Sequence, residues 1–94
     1  MRRTVGDIAI EVMQREQYPY IGYCDFGLLD TVHGLAVAEG ICKPVNHPIR
    51  AQTAVLNCLD RDKRFVKWYV LAMNRNGRGE RRVRSFRLKG ASDA

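Results

Sequence analysis

The chain has 94 residues, 46% hydrophobic and 28% charged, with 16 lysines and arginines against 10 aspartates and glutamates. That size suits one small domain spanning residues 1–94, able to bury a core of its own, and no apolar run approaches the roughly 18 residues of a membrane span. Charge is unevenly placed: ten basic residues from Lys63 onward face only Glu80 and Asp93, whereas Met1 to Asp62 carries six basic and eight acidic residues.

Thr4 followed by Asp7 resembles a capping box with aspartate in place of glutamate. Val5, Ile8, Ala9, Val12 and Met13 then recur on one helical face. A first helix is predicted over about 4–17, stopped by Pro19, with Glu11 and Arg15 spaced for an ion pair. Tyr20 to Tyr23 is too short for more than an extended piece, and Tyr18, Tyr20 and Tyr23 are expected to close a corner of the core. Asp25 caps a second helix over about 25–39. Its interior Gly27 and Gly34 each cost roughly 1 kcal/mol against alanine, so the helix either breaks near His33-Gly34 or uses a glycine for close packing. Gly40 suits the left-handed residue that ends it. His33 reads as a satisfied core or boundary histidine.

Pro48 fits the first position of a third helix over about 48–61. Ile49, Val55, Leu56 and Leu59 can face a core. Arg50, Thr53, Asn57 and Arg61 form a separate polar line, with Gln52 beside it. From Arg64 the pattern changes. Phe65 to Met73 and Val83 to Leu88 favour strands, and the glycine-bearing run between them completes an antiparallel hairpin over about 64–89. Adjacent strand residues alternate faces, so one of Trp68 and Tyr69 is expected in the core. Residues 90–94, small and polar, are expected to fray.

This order of elements in an α+β chain resembles a winged helix-turn-helix domain: three helices followed by a C-terminal antiparallel β-hairpin. The helix from Thr53 to Asp60, Arg64-Phe65 and the strand Trp68-Tyr69-Val70-Leu71 are similar to the HARE type of winged helix. The link from Gly40 to His47 is longer than the tight turn of simple members. The resemblance implies that the third helix enters the major groove of duplex DNA and that the hairpin, or wing, lies against the backbone or minor groove.

The residues support the same partner independently. A basic loop on a slightly acidic support is a footprint for a polyanion. Arginine can read guanine, and asparagine or glutamine adenine. Arg50, Gln52, Thr53 and Asn57 are therefore the candidate contacts on the helix, and Arg75, Asn76, Arg78, Arg81 and Arg82 those on the hairpin. Six arginines and one lysine lie between Arg75 and Lys89, and arginine's planar fork suits phosphate and narrow minor grooves. Arg84 and Arg87 have opposite strand parity, so at least one projects away from the nucleic acid. The expected protein is a small transcriptional regulator, with homodimerisation through the helices or a protein partner adding specificity. The alternatives are a winged-helix adaptor whose basic hairpin binds an acidic protein, or a binder of RNA or single strands.

Catalysis is not expected. Ser85 and Ser92 are the only serines, and Gly77-Arg78-Gly79 joins two strands without the helix of a phosphate loop. Cys24, Cys42 and Cys58 show no paired spacing with one another or with His33 and His47, so neither metal nor cofactor is expected. With no secretory signal read near Met1, the cysteines are expected to be reduced, buried thiols in a cytoplasmic protein.

Overall fold

The computed structural model describes residues 3–74 and 76–89. Helix α1, Val5–Glu16, begins on the expected capping box: the Asp7 N–H donates to Thr4 Oγ1 at 3.2 Å and the Thr4 N–H to Asp7 Oδ2 at 2.8 Å. Val5, Ile8, Ala9, Val12 and Met13 are its buried stripe, as their spacing predicts. The helix closes on its own backbone before Pro19. Gln17 takes a left-handed conformation (φ 59°), the Gln17 N–H donates to the Gln14 carbonyl and the Tyr18 N–H to that of Met13. A non-glycine residue is strained there. Gln17→Gly should raise unfolding free energy by about 0.5–1 kcal/mol, the strain relieved less the backbone freedom glycine adds to the unfolded chain; a urea titration reads it. Glu11 pairs with Arg3 at 3.0 Å instead of forming the expected pair with Arg15.

The extended piece is a true strand. β1, Ile21–Gly22, pairs antiparallel with the last strand, Ile21 opposite Phe86 and Gly22 opposite Ser85. Asp25 occupies the N-cap of α2, Phe26–Ala38, but does not cap it; its carboxylate accepts from the Gly22 N–H at 2.7 Å. α2 runs unbroken through Gly27 and Gly34, and open space beside both excludes a close-packing role. Gly40 is left-handed (φ 74°) as expected, with the Ile41 N–H donating to the Ala36 carbonyl at 2.8 Å.

Helix α3 spans Pro48–Arg61, β2 Phe65–Met73 and β3 Glu80–Leu88. The sheet is antiparallel, in the order β1-β3-β2. Together the described residues form an α+β fold of three helices and a three-stranded sheet. Its core joins Ile8 and Val12 of α1, Leu29 and Val32 of α2, and Val55, Leu56 and Leu59 of α3 to Ile21, Phe65 and Phe86.

Several expectations fail at the margins of this core. Neither Trp68 nor Tyr69 belongs to it: Trp68 is half-buried against Tyr20, and Tyr69 is exposed. The alternation holds: Trp68 lies on the sheet face turned away from the helices, and Tyr69, on the helix-facing side, sits beyond Phe65 and opposite Arg84, outside the apolar core. Tyr23 packs against the core, whereas Tyr18 and Tyr20 are exposed. Ile49 is only half-buried. Cys24 is exposed in the turn after β1, and Cys42 and Cys58 are half-buried. His33 is buried, but its Nε2 has no hydrogen-bond partner among the described residues.

The base of the hairpin is tied to the start of α1. Arg64 donates from Nε and Nη2 to both oxygens of Asp62 at 3.0 and 2.7 Å, and from Nη1 to Asp7 Oδ1 at 2.6 Å. The Thr4 N–H and the Arg64 guanidinium together hold the Asp7 carboxyl down at about 2. A carboxyl depressed by folding contributes stability above its ordinary pKa and loses it as pH falls through the folded value. Stability should therefore decline between about pH 4 and pH 2. Asp7→Asn should be less stable at pH 5 and vary less across that window, as urea midpoints measured at each pH would show.

Candidate nucleic-acid interface

The hairpin register decides which cations can share a surface with α3. Phe65, Lys67, Tyr69, Leu71 and Met73 occupy one face of β2, directly opposite Leu88, Phe86, Arg84, Arg82 and Glu80 of β3. Phe65 and Phe86 are core residues, so this is the face that meets the helices.

Two basic side chains tie that face to α3. Arg84 Nη1 donates to Asn57 Oδ1 at 3.0 Å and to Asp60 Oδ2 at 3.3 Å. Lys67 Nζ pairs with Asp60 Oδ1 at 2.9 Å, and this ammonium, followed by Arg84, holds the Asp60 carboxyl below the usual range. Arg84 is therefore a strut between hairpin and helix, a role that strand parity alone could not reveal.

Further out, arginines stack on tyrosines. Arg82 lies 4.6 Å from the Tyr69 ring centre and Arg81 4.7 Å from that of Tyr23, with Arg81 Nη2 also donating to the Tyr23 hydroxyl. These side chains, with Val83 and Arg84, line a cavity of about 370 Å³. Stacking restrains a guanidinium while leaving N–H groups at its rim for an anion. Neither tyrosine emerged from the sequence as part of the site. The signal was register: Tyr69 lies diagonally from Arg82, within reach on an antiparallel pair.

The loop is folded on itself. The Asn74 N–H donates to the Gly79 carbonyl at 3.0 Å, Asn74 Nδ2 to the Arg78 carbonyl at 2.8 Å, and the Arg78 N–H to Asn76 Oδ1 at 2.9 Å. Gly77 and Gly79 supply positive φ values of 75° and 78°. The Asn76 side-chain oxygen therefore already serves the turn, while Arg78 is exposed. Arg75 lies outside the described residues.

On α3, Arg50 and Asn57 are exposed and Thr53 is half-buried. Gln52 is only 5% exposed and donates to Asp30 of α2 at 3.3 Å. It faces the helix pair and is not the exposed contact expected of it. Among the described residues no carboxylate lies within ion-pair distance of Arg50, Arg78, Arg81 or Arg82; carboxylates do neutralise Arg3, Arg64, Lys67 and Arg84. The described residues hold no cluster of potential metal ligands, and none of their helices is long and apolar enough to cross a membrane.

Fold and surface thus define a small α+β domain with a basic, arginine-rich hairpin fastened to its third helix. No protein-family model matches the chain, and neither does any curated protein or solved structure.

Proposed function

We propose that the chain is a sequence-specific, duplex DNA-binding protein of winged helix-turn-helix type, acting as a small transcriptional regulator. Helix α3 enters the major groove, and the β2–β3 hairpin grips the neighbouring phosphates. One observation carries this reading: Arg84 joins Asn57 of α3 to the hairpin, on the sheet face that also holds Arg82. The polar side of the helix and Arg82 can then meet one duplex together, and Arg81, from the other face of β3, lines the same cavity as Arg82. Arg50 and Thr53 are the base or phosphate contacts on α3, Asn57 is shared with Arg84, and Gln52 supports the helix from behind. On the hairpin, Arg78, Arg81 and Arg82 take phosphate; Arg75 is a further candidate outside the described residues, and Asn76 shapes the loop.

Fluorescence anisotropy with a labelled duplex, competed by unlabelled duplex or single strand, tests the proposal. The expected result is saturable binding that weakens steeply with salt and is displaced better by duplex. Absence of binding at low salt, or stronger displacement by single strands, would overturn it. Arg50→Ala should weaken specific binding about tenfold or more and narrow the preference for one sequence over another, the effect of losing a side chain at the base edges.

A further inference from the structure

We infer that the chain forms a two-fold homodimer by antiparallel pairing of β2 with β2 of a second copy. The sheet order leaves β2 at an edge. The hydrogen bonds flanking the hairpin fix which backbone groups are spoken for. The Lys89 N–H donates to the Arg64 carbonyl and the Asn74 N–H to that of Gly79, and both pairs lie in the same register as the strand partners. In an antiparallel ladder, residues that exchange bonds alternate with residues whose groups point away. Val66, Trp68, Val70 and Ala72 therefore bond to β3, and Lys67, Tyr69, Leu71 and Met73 direct their N–H and C=O groups to the free edge.

Those same residues include the two most exposed large apolar side chains among the described residues, Met73 at 69% and Leu71 at 67%, and Tyr69 beside them is 46% exposed. A long apolar edge is a template for another strand unless charge, proline or a bulge blunts it. β2 contains no proline, and Lys67 is its only charged residue. Lys67 is already paired with Asp60 of its own chain.

The edge suits a second copy of itself. With Leu71 opposite its own counterpart, Tyr69 faces Met73 and Val70 faces Ala72. Outward-pointing residues thus meet outward-pointing residues, and every side-chain pair is apolar. No cation faces another in that stretch, because the arginines lie on β3 and the loop. The antiparallel two-fold sends the two basic tips past each other in opposite directions, each toward the partner's Lys67–Asp60 end. The exposed parts of Tyr69, Val70, Leu71 and Met73 come to roughly 400 Å² per chain, the scale of an interaction patch. Doubled, with the backbone edges added, the contact reaches roughly 1,000 Å², where specific interfaces begin.

The two-fold axis of such a pair stands perpendicular to the joined sheet, so both α3 helices lie on the same side of it. If the DNA reading holds, the two helices would address two related half-sites; the dimer itself rests on the edge and does not need that reading.

Sedimentation equilibrium of the chain under reductant, combined with amide hydrogen exchange at low and high protein concentration, tests it. The expected result is a monomer–dimer equilibrium. The amides of Tyr69, Leu71 and Met73 should gain protection with concentration, while those of Trp68, Val70 and Ala72 stay protected throughout. Leu71→Lys with Met73→Lys should raise the dimer dissociation constant at least about tenfold. A monomer at every concentration would overturn the inference. So would a dimer whose Tyr69, Leu71 and Met73 amides exchange independently of concentration, or one that the double variant leaves intact. The wild-type exchange pattern decides the matter even if the variant folds poorly.

Discussion

Replacing Arg78, Arg81 and Arg82 together with alanine should lower the slope of log affinity against log salt by about 2 to 3, since each lost phosphate contact removes about 0.9. The three side chains are exposed and have no carboxylate partner among the described residues. Their positive charge is thus available to a ligand. The fold should survive the change: the losses are the stacks on Tyr23 and Tyr69, each worth about 0.5–1 kcal/mol at an exposed site, and the exposed hydrogen bond from Arg81 to the Tyr23 hydroxyl. The matching triple lysine variant separates charge from geometry. It should keep most of the slope, because the charge remains, yet bind more weakly than wild type, because an ammonium cannot make the forked contact. Anisotropy titrations at four or five salt concentrations read both quantities. If the alanine variant retains the wild-type slope, the hairpin does not touch phosphate. If the lysine variant equals wild type in affinity, phosphate recognition does not depend on the arginine fork.

That experiment depends on features of unequal visibility in the sequence. The capping box of α1 and the left-handed Gly40 were legible because each is local: three or four residues satisfy their own backbone groups. Strand β1 was not. Ile21 and Gly22 gain their conformation from Phe86 and Ser85, more than sixty positions away, and two residues leave no period to read. The arginine cluster was visible as composition, but its division of labour was not. Arg84 became a strut because Asp60 and Asn57, one turn apart on α3, face the hairpin. Gln52 shows the converse error. Its chemistry suited base reading, but a rotation of about 100° per residue turns it from the line of Arg50, Thr53 and Asn57 toward α2, where Asp30 receives its amide. Alternation correctly separated Trp68 from Tyr69; the mistake was to assume that each face of a strand must have something packed upon it.

Gly6 gives the second large effect, and its expected sign depends on a residue far along the chain. A Cβ at this position would sit 1.9 Å from Asp62 Oδ2 and 2.8 Å from Arg64 Nη2. Asp62 cannot simply turn aside, because its carboxylate accepts from the Arg64 N–H at 2.9 Å as well as from the guanidinium. Gly6→Ala must therefore break part of this knot, and Asp62 is the least exposed of its charged members. The expected cost is about 2–3 kcal/mol, the scale of disrupting charge-assisted hydrogen bonds. Asp62→Ala removes the obstacle and frees the Arg64 side chain to swing away. In that background Gly6→Ala should be neutral or stabilising by up to about 1 kcal/mol, since alanine is the better helix former. Urea unfolding of the two single variants and the double variant forms the cycle, with a coupling of about 2 kcal/mol or more expected between positions 56 residues apart. Additive costs would mean that α1 and the base of the hairpin do not approach this closely, and the knot that orients the hairpin against the helices would have to be redrawn.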